Sequence, residues 1–310
     1  MATEPTPQNL GNPVLRHLLA TRPPFLLVSV VACGIGWSGT HVSGNSVDMV
    51  LALLTLIAAV LVHAGVNVLN DYYDAVNGTD ENNTQRIYPF TGGSRFIQNG
   101  IFSPQHCLKF GLALIAVAVL IGMGLAVQGR PGLWLIGAVG LLLGWAYSAP
   151  PLSLNSRGLG EISVALGFGA LIPVGADYVQ RGVFDWQTLM LGVPYALLVT
   201  NILFIAQFPD READAGAGKN HWVVRLGPRA ARWVYVVLAL AAYEGVMAML
   251  LTSRLPFAAS WSLLPGVFSF AAASILVRHA ESPQRLAPAI VLTILAALGH
   301  GVALILSLTV

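Results

Sequence analysis

The chain has 310 residues, of which 55% are hydrophobic and only 10% are Asp, Glu, Lys or Arg, and its mean hydropathy is +0.70. That balance excludes an ordinary water-soluble domain and assigns a polytopic membrane protein embedded in a lipid bilayer. A formal charge of +2, with no basic run interleaved with aromatics, excludes nucleic acid as a partner.

In chain order, residues 1–22 are polar and contain proline, with neither a signal-peptide core nor a transit-peptide composition, and read as a loose N-terminal arm. The remainder, 23–310, reads as a single transmembrane domain. Val30-Val31-Ala32-Cys33-Gly34 resembles a lipoprotein cleavage box only superficially, because apolar sequence continues beyond it. Apolar runs predict nine transmembrane helices near 25–42, 48–76, 106–128, 132–149, 160–180, 186–208, 229–252, 256–278 and 286–309, an all-α fold. Long connections, expected as cytoplasmic loops, fall near 78–105 and 209–228. The two cysteines, Cys33 and Cys107, form no C-x-x-C and suggest neither a zinc site nor a disulfide.

If the helices alternate across the bilayer, one side receives thirteen Lys and Arg residues and the other only Arg130, Arg181 and Arg254. The positive-inside rule makes the first side cytoplasmic, with the N-terminus and both long connections inside and the C-terminus outside. The expected location is a bacterial inner (cell) membrane.

Half of the 14 acidic residues fall in two windows on that side: Asp71, Asp74, Asp80 and Glu81, then Asp210, Glu212 and Asp214. Carboxylates beside a bilayer are costly unless solvated, paired or bound to a cation. His63, Asn67, Asn70, Asp71 and Asp74 share one helical stripe, as do Gln207, Asp210 and Asp214, whereas Glu212 points elsewhere. Pro209 should distort its helix locally. Two carboxylate pairs on helices that run in the same direction, without a nearby thiol or His-rich pattern, suit a hard cation. Mg²⁺ fits best, because it takes one or two carboxylates per ion and completes its shell with water and phosphate oxygens. The implied ligand is a phosphate or diphosphate, with Arg95, Lys219 and Arg225 available to neutralise it. Either window alone would more simply be a solvated loop, His63 a hydrogen-bonded core histidine, and Arg22 a positive-inside anchor; two windows at one end favour the metal–anion site.

Asn70-Asp71-x-x-Asp74 with Gly78-x-Asp80, and Asp210-x-Glu212-x-Asp214 followed by Gly218-Lys219 and Arg225-Leu226-Gly227, resemble the two signature motifs of the UbiA superfamily of intramembrane prenyltransferases. Thr91-Gly92-Gly93-Ser94-Arg95 and Tyr147-Ser148-Ala149-Pro150-Pro151-Leu152 with Gly158-Leu159-Gly160-Glu161 are similar to the branch of 1,4-dihydroxy-2-naphthoate prenyltransferases. The resemblance implies nine helices around a central cavity, Mg²⁺ as cofactor, a polyprenyl diphosphate donor and an aromatic acceptor, with dihydroxynaphthoate in menaquinone biosynthesis ahead of 4-hydroxybenzoate. Asp71, Asp74, Asp210 and Asp214 would hold Mg²⁺ and the diphosphate, assisted by Asn70. Lys219, Arg95 and Arg22 would contact the diphosphate, and Tyr147 would lie near the allylic carbons or the acceptor. Gln207 stands where relatives carry Asn, and Asn220-His221-Trp222 where a Thr-Leu pair is common; Gln207 can still act as an oxygen ligand or hold a water.

A transporter would place its charges or broken helices at the midplane, whereas these acids sit where spans meet loops. A CDP-alcohol phosphotransferase would need D-x-x-D-G-x-x-A-R, but Ala75 follows Asp74 and the next Arg is Arg86.

Overall fold

A computed structural model describes residues 3–309. A short helix α1 (Pro13–Ala20) precedes α2 (Pro23–Val42), α3 (Met49–Val76), α4 (Pro104–Val127), α5 (Gly132–Ser148), α6 (Gly160–Arg181), α7 (Trp186–Gly216), α8 (Trp222–Leu251), α9 (Phe257–His279) and α10 (Ala287–Thr309). Eight of these are long and apolar enough to cross a membrane, and the ninth, α5, is a 17-residue apolar helix beside them. An integral membrane bundle follows, because helices satisfy their own backbone where no water can.

Side-chain caps set the helix starts. Asp48 accepts from the amides of Val50 and Leu51, Ser103 from His106 and Asp185 from Gln187. The N-terminal arm is more ordered than its composition suggests. Asn12 caps α1, and Glu4 joins Arg86 at 2.7 Å. The α7 helix runs through Pro209 to Gly216, two turns beyond the apolar run, so the second acidic window is helical. Neighbouring side chains from loop 77–103 satisfy its polar end. The α8 helix begins at Trp222 and breaks at Gly227 (φ 71, ψ 159), with Pro228 restarting it. Five residues of α6, Gly167–Leu171, form a π-helical segment.

The apolar core has two main bodies. One joins α2, α7, α8 and α10 through Val28, Ile35, Tyr195, Leu198, Val246 and Leu304. The other joins α7, α8, α9 and α10 through Phe204, Phe208, Tyr235, Leu276 and Ile290. Lipid is as apolar as these side chains, so close packing rather than water exclusion holds the helices together. At the α6–α7 crossing a Cβ on Gly192 would lie 1.9 Å from the Gly169 carbonyl oxygen, so only glycine permits that approach. At the end of the bundle away from the acidic windows, Asp177 accepts from Thr40 (2.7 Å) and Thr188 (2.9 Å). Arg181 bridges Asp177 and Asp185 at 2.5 and 2.7 Å.

Candidate active site

The helices enclose a cavity of about 620 Å³ that runs from the acidic windows into the bilayer-spanning region. Its deep wall is apolar, with Phe25, Val62, Leu141 and Phe168 among its residues, and the α5 wall is lowered by Gly137, Gly140 and Gly144. Its mouth is polar. Asn70 and Asp74 reach it from α3, Gln207, Asp210 and Asp214 from α7, Lys219 and His221 from the α7–α8 turn, Tyr147 from the end of α5, and Arg22 from just before α2. The two windows, separated by more than a hundred residues, therefore meet at one rim.

Each acid has a defined partner. Asp71 pairs with the Arg22 guanidinium and accepts from the Ser94 amide at 3.3 Å, which places it behind Arg22 rather than on the cavity wall. Lys219 Nζ lies 2.9 Å from Asp74 Oδ1 and 3.0 Å from Asp214 Oδ1, and so ties the first window to the second. Asn70 donates to Asp74 Oδ2 and to Ser148 Oγ, both at 3.1 Å. Asp210 accepts from Asn83 Nδ2 at 2.5 Å and from the Gly92 amide at 3.3 Å. His221 Nε2 meets Asp214 Oδ2 at 3.0 Å.

Asp80, given no role in the sequence reading, is a fifth acid of this cluster and is buried, 3% exposed. Burial first, then the charges of Asp74 and Asp71, hold its carboxyl well above the usual carboxylate range. Burial pulls Lys219 down, but the carboxylates of Asp74 and Asp214 more than offset it and raise its ammonium above the ordinary lysine value. Arg22 behaves alike: burial opposes its charge, and Asp71 raises it. The loop that carries Asp80 folds over the acids through Gly93, whose φ of 74 is left-handed and whose added Cβ would lie 2.2 Å from Asp80 Oδ2. A bare backbone is required there.

Two expected cations lie elsewhere. Arg95 is buried, but donates to the Asp80 main-chain oxygen and approaches Glu4 at 3.9 Å, so it stiffens the covering loop without reaching the cavity wall. Arg225 binds the main-chain oxygens of Asn220 and Arg157, each at 2.6 Å, outside the mouth. Glu212 faces Gln85 at 2.6 Å, away from the acids. Asn83 escaped the sequence reading, and Asp80 and His221 received no site role there, because an Asn, Asp or His in a polar loop carries no spacing signal that says what it faces. Only the fold shows that they touch motif aspartates.

Among the described residues no three His, Cys, Asp or Glu side chains gather into a metal shell of their own. The rim nevertheless suits a hard cation with its anion. Asp80 Oδ2 and Asn83 Oδ1 are buried oxygens without hydrogen-bond partners, and Arg22 Nε and His221 Nδ1 are buried, unpartnered nitrogens beside them. Oxygen ligands and cationic groups left unsatisfied at one mouth fit Mg²⁺ that shares its shell with phosphate oxygens.

The sequence profile of the UbiA prenyltransferase family matches residues 25–306. The chain is 30% identical to 1,4-dihydroxy-2-naphthoate octaprenyltransferase of Mycobacterium leprae over 77% of its own length and 76% of that protein. It is 31% identical to the protein of the same name in Escherichia coli, over 71% and 70%. Among solved structures, the apo UbiA homolog from Aeropyrum pernix superposes with a TM-score of 0.65 at 17% identity, covering 90% of this chain and 97% of that one. The UbiA homolog from Archaeoglobus fulgidus bound to DMAPP and Mg²⁺ gives 0.60 at 16%, covering 93% and 98%. At those identities the structures speak for the fold, and the family match for the activity class. A nine-helix membrane bundle, its acid-rimmed cavity and a family profile over nearly the whole chain lead to one assignment: this protein is a prenyltransferase of the UbiA family.

Proposed function

We propose that the enzyme transfers a polyprenyl group from its diphosphate to an aromatic acceptor, with 1,4-dihydroxy-2-naphthoate as the acceptor and menaquinone biosynthesis as the setting. The observation that carries the reading is the acid-and-cation rim at one end of an apolar cavity of about 620 Å³. A diphosphate head and a hydrocarbon tail need those two environments side by side. The acceptor rests on the names of the relatives at about 30% identity. We place the acidic rim and the N-terminus in the cytoplasm, on the strength of the Lys and Arg asymmetry, and the C-terminus outside.

In this mechanism Asp71, Asp74, Asp210 and Asp214 hold the cation, with Asn70 as a neutral oxygen donor beside them. When bound, Mg²⁺ supplies positive charge that draws electron density onto the leaving diphosphate. Lys219 and Arg22 leave their carboxylates and bind the diphosphate oxygens as the allylic C–O bond breaks and its electron pair departs with the diphosphate. Tyr147 presents its ring to the allylic carbons and shields the cationic character that develops there. The apolar wall keeps water out, so the electron-rich acceptor ring forms the new C–C bond and then loses a proton, or carbon dioxide if the attacked carbon carries a carboxyl group. A transport pathway finds less support, because the Asp177–Arg181–Asp185 network ties α2, α6 and α7 together at the opposite end.

Mass spectrometry of products formed by the purified protein with Mg²⁺, geranylgeranyl diphosphate and a panel of aromatic acids tests the proposal. A prenylated naphthoate is expected. Exclusive prenylation of 4-hydroxybenzoate would reassign the acceptor, and hydrolysis of the diphosphate without C–C coupling would overturn the reading.

A further inference from the structure

We infer that Glu161 is a positioning residue: it fixes the Gln207 amide so that the carbonyl oxygen of Gln207, rather than its NH2 group, is offered to a hydroxyl of the aromatic acceptor. The inference rests on the prenyl-transfer reading above. Gln207 lines the cavity, and its Nε2 donates to Glu161 Oε1 at 3.0 Å. Both side chains are more than nine-tenths buried, and Gln207 Oε1 and Glu161 Oε2 have no partner. A carboxylate only accepts, so the amide must turn its NH2 towards residue 161. What enters the cavity therefore meets Gln207 as an acceptor.

The register of α7 says which group that is. Gln207 precedes Asp210 by three residues, about 4.5 Å along the helix and on the apolar side of the acids. An acceptor ring must reach the allylic carbon on the side away from the departing diphosphate. Ring substituents then meet the wall about one turn inside the carboxylates. A phenolic hydroxyl next to the reacting carbon is a donor and satisfies the orphan carbonyl. A buried carboxylate with a free oxygen is costly in itself; its place in the first turn of α6 offsets part of that cost through the helix dipole but leaves Oε2 without a donor.

The test compares wild type with Glu161→Gln and Glu161→Met in two readouts: acceptor binding, followed by naphthoate fluorescence without donor, and steady-state transfer. Gln at 161 can still accept from Gln207 but allows either amide orientation, whereas Met allows no pairing. Acceptor Kd and KM should rise about twofold in Glu161→Gln and about tenfold in Glu161→Met, the latter being the worth of one hydrogen bond. Donor KM should not change, and Gln207→Leu should match Glu161→Met. A 1,4-dimethoxy naphthoate, which has no hydroxyl to donate, should bind all four proteins alike. Equal acceptor Kd in wild type and Glu161→Met would overturn the inference. So would equal losses in Gln and Met variants confined to kcat, which would mark a purely electrostatic role. Binding read apart from turnover separates the two claims: a wild type that binds the naphthoate but transfers nothing refutes the prenyl-transfer reading and leaves the Glu161 comparison to stand or fall by itself.

Discussion

Lys219 offers the sharpest test of the rim. Its Nζ bridges Asp74 and Asp214 at 2.9 and 3.0 Å, with all three side chains at most 11% exposed. Lys219→Met removes the charge while keeping the stem, and leaves two buried carboxylates facing each other. Removing one partner of a buried ion pair costs about 3–5 kcal/mol. The lower figure applies here because the mouth is open to the cavity. At roughly 2 °C per kcal/mol for a chain of this size, the metal-free unfolding midpoint should fall by about 6 °C. A divalent cation at about 100 times its Kd returns about 2.7 kcal/mol, so Mg²⁺ should restore most of the loss. In wild type it must first displace the ammonium and should therefore raise the midpoint less. Near-UV circular dichroism of the tryptophans in detergent, at matched scan rates, gives both midpoints. Because the folded value of Lys219 is raised, its stabilising contribution is complete below the unfolded value of about 10.4 and is lost only as pH climbs through the folded one, so the difference should be flat from pH 6 to 9. Turnover at saturating Mg²⁺ should fall about 10²–10³-fold. An unchanged metal-free midpoint, or an equal Mg²⁺ increment in both proteins, would refute the reasoning.

Asp71→Ala and Asp210→Ala should each nearly abolish transfer, by at least about 10³-fold, with circular dichroism unchanged, and EDTA should silence wild type reversibly; retained turnover in a folded variant would remove these residues from the metal site. Gly93→Ala pushes a Cβ to within 2.2 Å of Asp80 Oδ2 and should raise donor KM more than tenfold. Gly100→Ala, also left-handed at φ 69 but with open space around it, should cost only about 1 kcal/mol of stability and no activity. Asp80 keeps its proton to higher pH in the folded chain than in the unfolded one, so its ionisation weakens the metal-free fold as pH rises from the unfolded value through the folded one. Asp80→Asn should therefore be the more heat-stable protein at pH 7.5 without Mg²⁺, by a margin that shrinks towards pH 4. Arg181→Met strands the buried Asp177 at the opposite end and should cost about 3–5 kcal/mol, largely recovered by adding Asp177→Asn, with donor KM unaffected.

Spans, composition class and the paired acidic windows were legible because each depends on residues close in sequence. About 20 apolar residues in a row announce a crossing whatever surrounds them, and Asp71 with Asp74, or Asp210 with Asp214, share a helical face by spacing alone. Boundaries were less legible where polar groups are satisfied by distant partners. The α7 helix runs on to Gly216 because Asn83, Gly92 and Lys219 accommodate its acids, and hydropathy is blind to that. Only the tertiary structure decided which cations serve the rim. Arg95 and Lys219 look equivalent in sequence, yet one binds a main-chain oxygen behind the loop and the other bridges the two windows. The same holds for Asp80, His221 and Glu161, whose neighbours in the chain do not say what they touch: each is in contact with, or clustered among, rim residues that packing brings to it. A carboxylate's chemistry is fixed by what lies within a few ångströms of it, and here those neighbours come from helices that only packing brings together.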